Sequence, residues 1–210
     1  MYKRVIKRLL DVIVSFLGLI LLALPMLAIA IIIKIDSSGP ILFKQRRIGI
    51  HKKEFLIWKF RSMPTSVPAD VPTHQFRAFD RLSRWQRFMR KSSLDELPQL
   101  FNILMGSMSF VGPRPALWNQ DDLVAERDKY GANDVRPGLT GWAQINGRDE
   151  LEIPVKAKLD GEYIQALNES GFEGLAMDLR CFIGTFASVL SSKGVVEGGT
   201  GQMKERSHNH

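Results

Sequence analysis

The sequence predicts a mainly α-helical protein with one small β-hairpin, entered through an N-terminal membrane segment. Three observations support this. Val12 to Ile33 is 22 residues without a charge, enough to cross ~30 Å of hydrocarbon as a straight helix. Beyond it, helix-like runs recur over 76–91, 97–105, 122–130, 153–168 and 175–191. Only Ile41 to Phe43 and Glu54 to Phe60, on either side of Gly49, read as strands.

The membrane segment admits two geometries. Lys3, Arg4, Lys7 and Arg8 precede the apolar run, and Lys34, Lys44, Arg46 and Arg47 follow it. The positive-inside bias places both flanks in the cytoplasm. Pro25, near the middle, removes a backbone hydrogen bond and clashes with the preceding turn. A helix bent there has two arms of about a dozen residues, ~18 Å each at 1.5 Å per residue, which enter a bilayer without crossing it. A kinked but ordinary span is the rival, since membranes tolerate proline in helices. A signal peptide cleaved after Ala28-Ile29-Ala30 is disfavoured, because the apolar run continues through Ile33.

The chain has 210 residues, 45% of them apolar, room for one domain plus an accessory segment. The expected division is a membrane anchor over 1–38, a domain over 39–197, and a polar, Gly-rich tail over 198–210. A single cysteine, Cys181, excludes an internal disulfide, and no Cys/His cluster has zinc-site spacing. Residues 1–60 carry eleven Lys or Arg against three acids, a surplus of +8, while the whole chain is +7. The basic surplus therefore travels with the apolar segment, where each cation gains ~1 kcal/mol from anionic lipid. Nucleic acid is disfavoured as a partner on the same ground.

Asp36 to Pro40 ends the membrane segment with turn residues. Pro64, Pro68 and Pro72 mark an irregular loop. Within 76–91, Arg81, Arg84, Arg87 and Arg90 recur every third position between Leu82, Trp85, Phe88 and Met89, an amphipathic helix whose arginines mostly form a solvated face. Arg136 to Gly147, with glycines at 138, 141 and 147, reads as loop.

The densest chemistry is Asp95-Glu96, between the basic stretch Arg81 to Lys91 and the apolar run Leu97 to Met105. Adjacent carboxylates repel unless cations, a helix end or a metal compensates. Ser93-x-x-Glu96 fits a capping box, in which Glu96 is a structural cap. Alternatively, Asp95 caps and Pro98 takes the first turn. Both registers put the carboxylates at a helix N-terminus that keeps them ionised. The same arrangement suits chemistry on a phosphate ester. Gly112-Pro113-Arg114-Pro115 is a stiff turn presenting one arginine, and Arg136-Pro137-Gly138 and Gly147-Arg148 repeat that logic. A guanidinium in a fixed pose is what bidentate phosphate recognition requires. Lys59 and Arg61 either add charge near the phosphates or contact lipid headgroups. His51, His74, His208 and His210 have no obvious partners.

Taken together, the chain resembles the bacterial sugar transferase family, and within it the small monotopic polyprenyl-phosphate phosphoglycosyl transferases. The matching stretches are Lys7 to Asp11, Trp58 to Met63, Ser93 to Asn102, Ser109 to Pro115 and Arg136 to Arg148, in family order. The resemblance implies a re-entrant helix-break-helix anchor, kinked at Pro25, and a cytoplasmic, membrane-associated catalytic domain. It implies that a UDP-sugar donates its sugar-1-phosphate to a polyprenyl phosphate, typically undecaprenyl phosphate. The products are UMP and a polyprenyl diphosphate sugar, the first lipid-linked intermediate of a surface glycan. Asp95 would be the nucleophile, and Glu96 a metal ligand or base. Mg²⁺ would be the cofactor, bound at Asp95 and Glu96, with Asp160 and Asp178 serving the metal or capping helices. Lys59, Arg90, Arg114, Arg136 and Arg148 would hold phosphates or uridine.

The resemblance further implies the cytoplasmic face of the bacterial inner membrane, contact with its lipids, and hand-over of product to downstream glycosyltransferases. A homo-oligomer is compatible with it. Two departures stand out. Relatives often carry Ser-Pro at the kink, where this chain has Leu24-Pro25, and the segment 65–75 is unusually proline-rich. Two rival classes remain: a membrane-anchored nucleic-acid or lipid-binding protein indifferent to Asp95, and a phosphohydrolase that uses water as acceptor.

Overall fold

The computed structural model of the chain describes residues 2–63, 82–147 and 151–191. The proline-rich loop, Arg81, Arg148 and the Gly-rich tail lie outside the described residues.

After a short π-helical turn, α1 (Lys7–Leu21) and α2 (Ala23–Asp36) meet at 61°. The break falls at Leu22, three residues before Pro25, for a steric reason. The proline ring clashes with the carbonyl four residues back, so α1 ends at Leu21. Pro25 then occupies the first turn of α2, where a missing N–H costs nothing. Leu22 still donates to the Gly18 carbonyl at 2.9 Å and accepts from the Met26 N–H at 2.8 Å. Among the described residues no single helix is long and apolar enough to cross a membrane; only the bent pair together meets that requirement, by length and composition.

The sidedness of α1 is inverted relative to a soluble helix. Asp11 and Ser15 are buried, while Leu9, Phe16, Leu17 and Ile20 are exposed. Ser15 Oγ donates to the Asp11 carbonyl at 2.6 Å, and Asp11 Oδ1 accepts from Ser109 Oγ at 3.1 Å and from the Phe110 N–H at 3.0 Å. The polar face of α1 thus grips the rest of the protein and its apolar face is left outward. The end of α2 is fastened differently: Ile29 and Ile33 pack with Phe60 and Met89.

The hairpin pairs β1 (Leu42–Ile48) with β2 (Glu54–Phe60), antiparallel, Leu42 opposite Phe60 and Ile48 opposite Glu54. β1 extends well past the predicted Phe43, through a polar stretch that lacks a strand signature. Its cations pack on rings: Lys44 Nζ lies 4.9 Å from the Trp58 ring centre, and Arg46 4.0 Å from that of Trp118. α3 (Arg84–Lys91) begins at Ser83, whose hydroxyl accepts from the Gln86 N–H in a capping box. A 3₁₀ turn over Leu94–Glu96 leads into α4 (Gln99–Met105), which Gly106 ends in the left-handed region at φ 89°.

A second sheet was not predicted. β3 (Ser109–Val111) pairs in parallel with β4 (Gly138–Thr140), inside the stretch read as loop, and α6 (Trp142–Ile145) follows it. Its glycines permit close backbone approach: a Cβ on Gly138 would lie 2.2 Å from the Gly112 nitrogen, and one on Gly141 2.2 Å from the Gly112 carbonyl oxygen. Loop-like composition here is the signature of crowding. α5 (Asp121–Asp128), α7 (Ile153–Glu169) and α8 (Gly171–Ser191) complete the fold near the predicted positions. Tyr163, Ile164 and Leu167 of α7 and Met177 and Cys181 of α8 share a core with Tyr2 and Val111.

Two glycine substitutions separate crowding from mere flexibility. Gly138→Ala is expected to lose ~2–3 kcal/mol or the folded state. Gly18→Ala places its Cβ at an ordinary 3.5 Å from Leu100 and is expected to be neutral or to gain up to ~1 kcal/mol in the helix. Thermal unfolding of the detergent-solubilised protein checks both.

Candidate active site

Four segments converge on the carboxylate pair: the end of β2, α3, the 3₁₀ turn and the Gly112–Pro115 turn. The predicted cap at this position does not form. Ser93 sits in the left-handed region (φ 55°) and makes no capping hydrogen bond, and neither does Pro98 before α4. The box lies ten residues upstream, at Ser83 and Gln86. The tight 3₁₀ turn instead directs the two acids into the protein.

Their environments differ. Asp95 is 8% exposed, and its Oδ2 accepts from Ser62 Oγ at 3.1 Å. Glu96 Oε1 accepts from Lys59 Nζ and from Arg114 Nη2, each at 2.8 Å. Burial alone raises the Glu96 carboxyl, but Arg114 and Lys59 outweigh it and hold the group well below the usual range. Asp95 moves the other way. Burial raises it, the Glu96 charge adds to the rise, and Lys59, Arg90 and the Ser62 hydrogen bond oppose it without cancelling it. Burial likewise lowers the Lys59 ammonium, against the pull of Glu96. One carboxylate is therefore a clamped anion, and its neighbour a desolvated base.

Arg114 is held from behind. Its carbonyl accepts from Arg127 Nη1 at 2.9 Å, and Arg127 Nε and Nη2 reach Asp160 Oδ2 at 2.7 and 2.6 Å. Asp160, 1% exposed, thus supports the arginine turn. Asp178 is likewise engaged elsewhere: it accepts from Tyr2 Oη at 2.5 Å, Lys7 Nζ at 2.8 Å and Tyr163 Oη at 2.9 Å, which ties the N-terminus to α8. Neither aspartate caps a helix. Among the described residues no group of three His, Cys, Asp or Glu stands close enough to hold a metal ion by itself.

The other predicted residues divide. Arg90 acts on Asp95 through its charge. Arg61 turns away, donating to the Ser37 and Ser38 carbonyls at 2.6 and 2.8 Å. Arg136 lies at the far end of α4, where its Nε donates to the Gly106 carbonyl at 2.9 Å. Arg148 is outside the described residues. Sequence reasoning did not assign Ser62, Asp11 or Arg127. Ser62 and Asp11 lie within the stretches that carried the resemblance, whereas Arg127 meets Asp160 across 33 positions with no local signal.

Among the described residues the site is thus a buried acid pair held by a lysine and an arginine, in a chain whose N-terminal helix pair is bent and apolar. The family model for bacterial sugar transferases matches residues 2–192, and the chain belongs to that family. It is 37% identical over 191 residues to the uncharacterized sugar transferase EpsL of Bacillus subtilis (strain 168), covering 91% of this chain and 90% of that protein. It is 38% identical over 197 residues to the exopolysaccharide production protein PSS of Rhizobium leguminosarum bv. phaseoli, covering 89% and 96%. It is 38% identical over 175 residues to the UDP-glucose:undecaprenyl-phosphate glucose-1-phosphate transferase of Escherichia coli (strain K12). That match covers 77% of this chain but 36% of the longer relative.

Asp160→Asn tests the support behind Arg114. It leaves the Arg127 charge buried without its counter-ion, and a loss of ~3–5 kcal/mol is expected in chemical denaturation. Glu126→Gln, which breaks a pair with the exposed Lys129, is expected to cost less than ~1 kcal/mol.

Proposed function

We propose that the chain transfers a sugar-1-phosphate from a UDP-sugar to a polyprenyl phosphate, through a covalent intermediate on Asp95, at the cytoplasmic face of the bacterial inner membrane. The asymmetry of the acid pair carries this reading: among the described residues only Oδ2 of Asp95 accepts a hydrogen bond, in a setting that raises its basicity, while Glu96 fixes two cations beside it.

The free Asp95 oxygen attacks the sugar-linked phosphorus. The bond from that phosphorus to the bridging oxygen breaks, and UMP leaves with the electron pair. An oxygen of the polyprenyl phosphate then attacks the same phosphorus, the bond to Asp95 breaks, and the carboxylate is restored. Two steps replace one direct encounter of two phosphate anions. Lys59 and Arg114, oriented by Glu96, offset the charge that builds on the phosphoryl oxygens, and Ser62 holds the second Asp95 oxygen in place.

Mg²⁺ fits this donor set. The ion is commonly held by one or two carboxylates plus substrate phosphates, and Asp95 Oδ1 and Glu96 Oε2 are free of protein hydrogen bonds among the described residues. Bound there, it would neutralise phosphate charge. The outward apolar face of α1, with basic flanks at both ends of the bent pair, supports a re-entrant anchor that brings a soluble sugar nucleotide and a membrane-held acceptor to one boundary.

Asp95→Asn is expected to lower UMP release from UDP-sugars by ~10⁴-fold or more, and rapid quenching of the wild type is expected to trap a phosphosugar on Asp95. Full activity of the Asn variant overturns the mechanism, and release of free sugar phosphate without a lipid acceptor would make the protein a hydrolase.

Asp95 must be ionised to attack, and its raised pKa places the acid limb of the UMP-release profile above the ~3.9 of an ordinary aspartate. Lys59 favours the ionised form, so Lys59→Met is expected to move that limb to still higher pH. A limb that stays put or moves down contradicts the assigned role of Lys59.

Cysteines introduced near residue 3 and at the exposed position 44, near residue 45, are expected to react with an impermeant reagent from the cytoplasmic side alone. The native Cys181 is buried and gives no background. Labelling at 3 only from outside restores a simple span.

A further inference from the structure

Two arginines that take no part in the acid-pair site meet at the C-terminal end of α4. Arg8, near the start of α1, donates through Nη1 to the Ile103 carbonyl at 2.6 Å and through Nη2 to the Leu104 carbonyl at 2.8 Å. Arg136, from the strand entry 128 residues later, donates through Nε to the Gly106 carbonyl at 2.9 Å. The three acceptors are nearly consecutive, so the two guanidinium groups stand side by side over Gly106. A Cβ there would lie 3.1 Å from Arg8 Nη2.

Capping the helix uses only part of this pair. Each guanidinium carries five N–H donors, and among the described residues both Nη atoms of Arg136 and Nε of Arg8 have no hydrogen-bond acceptor and neither side chain has a carboxylate within ion-pair distance. The helix end contributes roughly half a negative charge and the Asp11 carboxylate also acts on Arg8, yet the two guanidinium groups still face each other as like charges with donors to spare. Paired forks with spare donors are complementary to a phosphate group.

The setting selects the kind of phosphate. Val5 and Leu9, on either side of Arg8 along the helix, are each 57% exposed, and Met105, beside Gly106, is 61% exposed. The donors therefore sit where outward apolar surface begins. The site is also remote from the acids: Glu96 and Gly106 are ten residues apart on a chain that is helical almost throughout, ~15 Å at 1.5 Å per residue. We propose that Arg8 and Arg136 bind the phosphodiester headgroup of a membrane phospholipid, with its chains lying along α1. This rests on α1 meeting lipid but not on the transfer chemistry, so it and the Asp95 test fail separately.

The test uses the full chain in a phosphate-free maltoside detergent and measures binding by native mass spectrometry. Its probes are dioctanoyl phosphatidylglycerol, dioctanoylglycerol, which lacks the phosphate, and inorganic phosphate. Saturable binding of the phosphatidylglycerol alone is expected. Arg136→Gln should weaken it at least tenfold. Arg136→Lys keeps a cation on the helix end but loses the fork, so it should fold and still bind at least threefold more weakly. Arg87→Gln, on the exposed face of α3, should bind as the wild type does. Three results would overturn the proposal: unchanged binding in Arg136→Lys, equal weakening in Arg87→Gln, which would mean diffuse attraction, or inorganic phosphate displacing the lipid at matched concentration.

Discussion

The structure depends on how one buried anion is balanced. Glu96 lies inside the protein beside a second carboxylate, and such an arrangement survives only if the charge is met at close range. Lys59 and Arg114 meet it from opposite segments, at 2.8 Å each. The same contacts join the end of the hairpin, the 3₁₀ turn and the proline-bounded arginine turn. Removing either cation would therefore disturb position and charge together. The proton affinities of the two acids diverge because Glu96 has taken nearly all of the available compensation.

The arginine turn has its own foundation. Prolines on both sides restrict Arg114, but restriction of the backbone does not place a turn in space. Placement comes from Arg127, which bridges the Arg114 carbonyl and Asp160 on α7. A residue of the helical layer thus sets the position of a side chain at the acid pair, three contacts away. The glycines at 112, 138 and 141 act on the same turn by letting the strands approach within distances that any side chain would prevent.

Helix α1 joins this interior through one face and exposes the other. Its polar residues face inward: Arg8 to the end of α4, Asp11 to β3, and Ser15 to its own backbone. Its apolar residues face outward. The hydrophilic side is buried and the hydrophobic one exposed, and the chain bends by 61° at Leu22 between α1 and α2.

By itself the sequence determined the features that depend on local pattern. The helices α5, α7 and α8 follow from periodicity, the second strand from β-branched and aromatic residues, and the bend from Pro25. The stretches around Asp95, Arg114 and Arg136 were legible as chemistry because they combine turn residues with charge. What the tertiary structure decided was which charges meet. Glu96 reads as a helix cap in sequence because Ser-x-x-Glu is a local signal, but the left-handed Ser93 and burial against Lys59 and Arg114 override it. Asp160, Asp178 and Arg136, which the resemblance assigns to a metal or phosphate, meet partners 15 to 176 positions away. β3 and β4 are invisible in composition because their glycines serve close packing between distant segments. An ion pair has no sequence period: it depends on separation in space, which only the folded chain supplies.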